Sequence, residues 1–203
     1  MGPINASALS ALQERYFHTP AIGMDAHPPA PSSGRMTHPL ILTLAFDPVT
    51  FASLDGWRRR WFPDRGYVLP AHLTLFHKLP GEEADAIRLH LHHLARSLAP
   101  MPLRVAGPLR LGSGTGLRVE CPAIGPVRKA LARRWEDWLS LQDRHFRAHV
   151  TIQNKVPRET AERDRLDIAA LPPLDGHATG FLLWHYRGGP WEPAGDYTFG
   201  GIE

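Results

Sequence analysis

The phrase Ala71-His72-Leu73-Thr74-Leu75-Phe76-His77-Lys78 returns 77 residues later as Ala148-His149-Val150-Thr151-Ile152-Gln153-Asn154-Lys155. Ala, His, Thr and Lys recur at one fixed offset, and Val150 and Ile152 match Leu73 and Leu75 in kind. The alternation is that of a strand, whose successive side chains leave on opposite faces. His72 and Thr74 therefore share one face while Leu73 and Leu75 share the other, and the second copy repeats the arrangement. A chain that carries such a strand twice is constrained to bury two matching apolar faces and to present two matching polar ones.

The flanking sequence supplies the rest of each repeat. The apolar, β-rich run 40–46 predicts a buried strand, and Asp47-Pro48 opens a helix over 47–62, with Asp47 capping and Pro48 in the first turn. After the first motif strand, 81–99 predicts a helix, acidic at its start and basic towards its end as the helix dipole favours. Residues 101–111 and 115–121 flank Gly112-Ser113-Gly114 as a hairpin, 126–142 predicts a third helix, and 147–155 is the second motif strand. A fourth helix over 157–171 and two late strands over 176–188 and 190–200 complete the chain. The predicted class is α+β. The expected architecture is bilobal, with two mostly antiparallel sheets, outer helices and a pseudo-twofold internal repeat around a central cleft. Residues 1–37 differ, being rich in Pro, Ser and Gly around "DAHPPAPSSGRMTHP". They read as a flexible N-terminal extension, with a short helix over 3–17, ahead of one domain over 38–203.

Composition narrows the function classes. Cys121 is the single cysteine, so no disulfide forms within the chain and no cysteine-based zinc site is available. That fits a reducing cytoplasm. No apolar run approaches a membrane span and no signal-peptide layout opens the chain. A cytoplasmic, membrane-free monomer is the expectation. The net charge of +3 with a pI near 9.3 is compatible with an anionic ligand without requiring one.

Two His-x-Thr strands facing one cleft have a chemical meaning. Imidazole titrates near neutral pH, so one ring can accept a proton while the other donates one. Threonine hydroxyls can donate hydrogen bonds to phosphate oxygens. The set suits displacement at a phosphodiester without a metal or other cofactor, and the motif strands offer no carboxylate pair for a two-magnesium site.

The paired His72-Leu73-Thr74-Leu75 and His149-Val150-Thr151-Ile152 resemble the signature of the two-histidine (2H) phosphoesterase superfamily. Their spacing is similar to that of the branch containing 2'-5' RNA ligase-like proteins and RNA 2',3'-cyclic phosphodiesterases. The resemblance spans residues 38 to 200. It implies a bilobal α+β fold and a metal-independent enzyme. His72 and His149 would be the catalytic acid–base pair, with their individual roles left open. Thr74 and Thr151 would hold the phosphate. Its substrates would be RNA termini or small cyclic nucleotides carrying a 2',3'-cyclic phosphate, opened to a 2'-phosphate. The alternatives are a 2'-5' RNA ligase, a 2'-5' phosphodiesterase, or a non-catalytic RNA- or nucleotide-binding protein of the same fold.

Strand parity nominates further substrate contacts. Lys78 and Lys155 each lie four residues after a Thr, Arg147 lies two before His149, and Phe76 falls on the His face, where it could stack a base. His77 falls on the opposite face and is left out of the chemistry. The Trp–Arg stretches 57–61 and 128–138 read as amphipathic helices whose Trp residues anchor while the Arg residues face solvent. Trp184 and Trp191 are expected to pack against the late hairpin. His90, His92 and His93 read as a polar helix face, not a metal site.

Overall fold

The computed structural model describes residues 38–63 and 69–200. The expected extension over 1–37 and its helix over 3–17 lie outside the described residues. Seven strands are described: β1 Leu40–Phe46, β2 Leu73–Leu79, β3 Met101–Leu111, β4 Gly114–Glu120, β5 His149–Gln153, β6 Leu174–His185 and β7 Glu192–Thr198. Five helices accompany them: α1 Pro48–Trp61, α2 Ala84–Arg96, α3 Ile124–Arg134, α4 Leu141–Arg144 and α5 Arg158–Ala169. The class is α+β, and every ladder is antiparallel.

The expected two sheets are one. The order is β2-β1-β6-β3-β4-β5, with β7 also paired to β6. The reason is the length of β6. Its first residues, Leu174 to Ala178, pair β3, while Ala178 to His185 pair β1. Beyond the β3 ladder, β7 takes over from Gly180 onward. One twelve-residue strand thus belongs to both halves, and Ala178 is the point where Phe46 and Met101 both meet it. The two motif strands, β2 and β5, are the two ends of the strand order. Their Cα atoms nonetheless come within 8 Å, although no ladder joins them.

The helices form where the sequence punctuates them. Asp47 caps α1 by accepting from the N–H groups of Val49 and Thr50, and Pro48 fills the first turn, where its missing N–H costs nothing. The other Asp47 oxygen accepts from the Thr50 hydroxyl and from the His177 backbone, both at 2.6 Å. This ties the start of α1 to β6. Helix α2 buries Ile87, Leu91 and Ala95, one stripe at fourfold spacing. The third predicted helix, 126–142, is broken: α3 stops at Arg134, a 3-10 turn spans Glu136–Trp138, and α4 restarts behind Ser140, whose hydroxyl caps it. Burial of Trp135 and of Asp143 fixes that break. The core is continuous from Leu42, Leu73 and Leu75 through Phe181 and Leu183 to Val150 and Ile152. Among the described residues no helix is long and apolar enough to cross a membrane.

Candidate active site

Each motif begins at the mouth of its strand, where the backbone turns sharply enough for the histidine to bond its own chain. His72 Nδ1 lies 2.7 Å from the carbonyl of Pro70, and His149 Nδ1 lies 2.6 Å from that of Arg147. A carbonyl only accepts, so Nδ1 carries the hydrogen in both rings. The neutral tautomer then leaves its lone pair on Nε2. Neither Nε2 is engaged by another group among the described residues. Thr74 and Thr151 are half-buried beside them, and neither hydroxyl has a partner among the described residues. The apolar side of the phrase is fully committed: Leu73, Leu75, Val150 and Ile152 are at most 1 % exposed.

Electrostatics at His72 are strongly one-sided. Burial comes first, then the Arg58 cation; with smaller repulsion from His77 and His149 they lower its pKa from 6.5 to about 4, against the Pro70 bond, which raises it. The indole of Trp191 supplies part of that burial, its ring centre 4.6 Å from the imidazole. Trp191 in turn lies 6.2 Å from Trp184, whose Nε1 donates to the Thr43 hydroxyl in β1. His149 sits in a different setting. Arg118 on β4 is its direct cross-strand partner, so the two share a sheet face. Gly116, opposite Thr151, makes room: a Cβ there would come within 3.3 Å of the His149 ring and 2.7 Å of Leu111.

The segment leading into the first motif is held from α1. Asp55 accepts from the Ala71 N–H at 2.9 Å and from Arg59 at 2.8 Å. Arg58 donates from Nε to the Leu69 carbonyl at 2.7 Å and from its terminal nitrogen to the Thr151 carbonyl. Asp143 plays the matching part at the far end of β2. It accepts from the backbone N–H groups of His77 and Lys78, and from the His77 ring and the Ser140 hydroxyl. Burial works to raise the Asp143 pKa, but these hydrogen bonds hold it below the usual carboxylate range.

One nominated contact, Phe76, is corrected, and Lys78, Lys155 and Arg147 are exposed. Phe76 is wholly buried, edge-on to Trp135 at 5.3 Å, and cannot stack a base. The cause is a break in the β1–β2 register: Thr43 faces Thr74, but Leu42 faces Phe76. The extra residue flips parity, so Leu75 and Phe76 both turn inward. A second register shift between Phe76 and Leu79 offsets the first, and Leu79 is again inward. Lys78 is exposed and its N–H is tied to Asp143. Lys155 lies beyond the end of β5, with φ of 55° and its N–H bonded to the Asn154 side chain; strand parity does not reach it. Arg147 is exposed, and its carbonyl is the one that orients His149.

Four residues near the motifs were not legible from strand parity: Trp191, Arg118, Arg58 and Arg128. The arginines did leave a signal. Arg58 follows Leu54, and Arg128 follows Ile124, at the four-residue spacing of a buried helix stripe. The expectation that these Trp–Arg stretches expose their arginines fails at both positions, which are 4 % and 7 % exposed. Of the α2 histidines, His90 packs edge-on to Trp135 at 5.6 Å. Among the described residues no three His, Cys, Asp or Glu side chains gather as metal ligands.

Residues 46–190 match the family model described as the 2'-5' RNA ligase superfamily. No curated protein matches the chain. Among solved structures the chain resembles the crystal structure of TT0787 of Thermus thermophilus. That match has a TM-score of 0.59 and 21% identity, and it covers 81% of this chain and all of the other. At that identity the likeness speaks for the fold.

Proposed function

Because the chain belongs to the 2'-5' RNA ligase superfamily, we propose that it hydrolyses ribose 2',3'-cyclic phosphates, on RNA ends or small nucleotides, to 2'-phosphates. The observation that carries this reading is the shared tautomer of His72 and His149, each with Nε2 available beside a threonine hydroxyl. The two halves of the sheet act in this reading as pseudo-equivalent lobes, each lending one His-x-Thr strand. In-line displacement at phosphorus needs a proton acceptor on the attacking side and a proton donor on the leaving side. His72, held neutral at working pH by burial and by Arg58, takes the proton of water as its oxygen attacks phosphorus. The bond from phosphorus to O3' breaks, and His149, entering the step as the imidazolium with hydrogens on both Nδ1 and Nε2, passes its Nε2 proton to that oxygen. Thr74 and Thr151 donate to the non-bridging oxygens as charge builds there. The phosphodiester anion favours protonation of His72 and so raises its basicity in the complex. Arg118 and Arg147, exposed on either side of His149 and without an ion pair among the described residues, are suited to an RNA backbone.

The test is an assay in EDTA on a short RNA ending in a 2',3'-cyclic phosphate, with 2'- and 3'-phosphate products resolved. Wild type is expected to yield the 2'-phosphate, and His72→Ala and His149→Ala to lose it. The family description favours one second reading, the making or cutting of a 2'-5' linkage: in the making a 5' hydroxyl replaces water as the attacking group and O3' leaves, and in the cutting the 3' hydroxyl attacks and the 5' oxygen leaves. Inert wild type on the cyclic end with turnover of 2'-5' linked RNA would select it. Binding of RNA unaffected by either alanine, with no turnover of either substrate, would leave a binding protein.

A further inference from the structure

We propose that Arg58 and Arg128 are reciprocal positioning residues, each tying the segment before its own motif to the strand of the other motif, so that the pair holds His72 and His149 in mutual register. The inference rests on the acid–base reading above.

The geometry is matched on both sides. Arg58 on α1 bonds the carbonyl of Leu69, three residues before His72, and the carbonyl of Thr151 in the other motif. Arg128 on α3 bonds the carbonyl of Asp143, six residues before His149, and that of Leu75 in the other motif at 3.2 Å. Each guanidinium also lies on an aromatic ring of its own leading segment. Arg58 is 3.9 Å from the centre of Phe62, and Arg128 is 4.7 Å from that of Phe146. Arg128 lies 4.6 Å from Phe76 as well. The motif strands end the strand order and approach each other with no ladder between them. Two forked cations therefore supply the cross-links that backbone pairing would have given.

Stability alone does not explain the choice. Both arginines occupy a core stripe where Leu or Met would fit, and exchanging a buried ion for an apolar side chain is often neutral or stabilising. What an apolar residue cannot do is bond two carbonyls at once, one in the segment before its own motif and one in the other motif's strand. The charge has a second consequence at the first motif only. The charged and titratable groups acting on His72, beside burial and the Pro70 bond, are Arg58, His77 and His149, and Arg128 is not among them.

The test compares Arg58→Lys, Arg58→Met, Arg128→Lys and Arg128→Met by kcat, by the pH profile of kcat/KM and by thermal unfolding. Each Met variant is expected to lose about 10²-fold in kcat, the scale of a 1 Å misplacement. Its unfolding temperature changes little. Arg58→Met also moves the acidic limb from about 4 toward 6.5, though not the whole way, because burial remains. Arg128→Met leaves the limb in place. Arg58→Lys keeps the charge and the limb but, lacking the fork, loses about tenfold in kcat. The double Met variant loses less than the product of the single losses, since the pair acts as one unit. If a Met variant fails to fold, the Lys variants decide: wild-type kcat in both would overturn the proposal. So would a loss confined to unfolding temperature, or a limb moved by Arg128→Met. Wild type inert on cyclic ends would sink the functional reading instead. The brace is then read from the imidazole signals of folded variants by NMR. Chemical-shift changes at His149 in Arg58→Met and at His72 in Arg128→Met support it, and changes confined to the histidine of each arginine's own motif overturn it.

Discussion

His72 and His149 open the same phrase and make the same bond to the carbonyl two residues upstream, yet they stand in different surroundings. Trp191 covers the first ring, and Arg58 lowers its affinity for a proton. The second faces Arg118 across the β4–β5 ladder, over the space that Gly116 leaves open. Local sequence therefore sets the tautomer, which needs only the strand entrance and a carbonyl. Long-range packing sets the basicity, which depends on what α1 and the β6–β7 connection bring up against the ring. A repeat can thus place two like groups in unlike surroundings.

That comparison breaks most sharply at the histidines themselves. His72→Ala or His149→Ala should each cost at least the 10²–10⁴-fold that general acid–base catalysis contributes, read as kcat on the cyclic-phosphate RNA. The two copies should lose alike here, since both proton transfers are required. Next come Thr74→Val and Thr151→Val, each expected to lower kcat by about 10²-fold, the scale for one transition-state donor, with KM changed far less. An unequal loss between the two would show that one threonine carries the phosphate.

The surroundings should separate the copies. Trp191→Ala exposes the His72 ring and should move the acidic limb of kcat/KM upward from about 4. Arg118→Ala should raise KM for RNA several-fold and steepen no limb, because a backbone contact adds binding without changing the proton balance. The smallest effect is on stability. The His72 pKa in the folded protein lies below its ordinary value, so the unfolded chain takes up the proton first as pH falls. Its contribution is full above 6.5 and is lost as pH drops toward about 4. The loss is about 1–2 kcal/mol after allowance for partial exposure. Denaturant unfolding at pH 7 and pH 4.5 should show a shallower pH slope in His72→Gln than in wild type.

Much of the fold was legible because local rules govern it. Strand β1, the Asp47 cap, the Gly112 turn and the order of elements follow from period and punctuation alone. The failures share one cause. Parity from Thr74 to Phe76 assumes an unbroken ladder, and the bulge against β1 exists only once β1 is in place. The merger of two sheets depends on β6 reaching past Ala178 to serve both halves. Helix α3 stops where Trp135 finds Phe76 and His90, contacts distant in sequence. Of the site, His72, Thr74, His149 and Thr151 could be read from the repeat, whereas Trp191 and Arg118 reach it only through β6–β7 and β4–β5 pairing.

The most direct measurement is the pH profile of kcat/KM on an RNA ending in a 2',3'-cyclic phosphate, because that ratio reports the free protein. The account predicts an acidic limb near 4, well below the ordinary 6.5 of histidine, that disappears with the activity in His72→Ala. A limb at 6.5, or activity retained without the His72 imidazole, would contradict it.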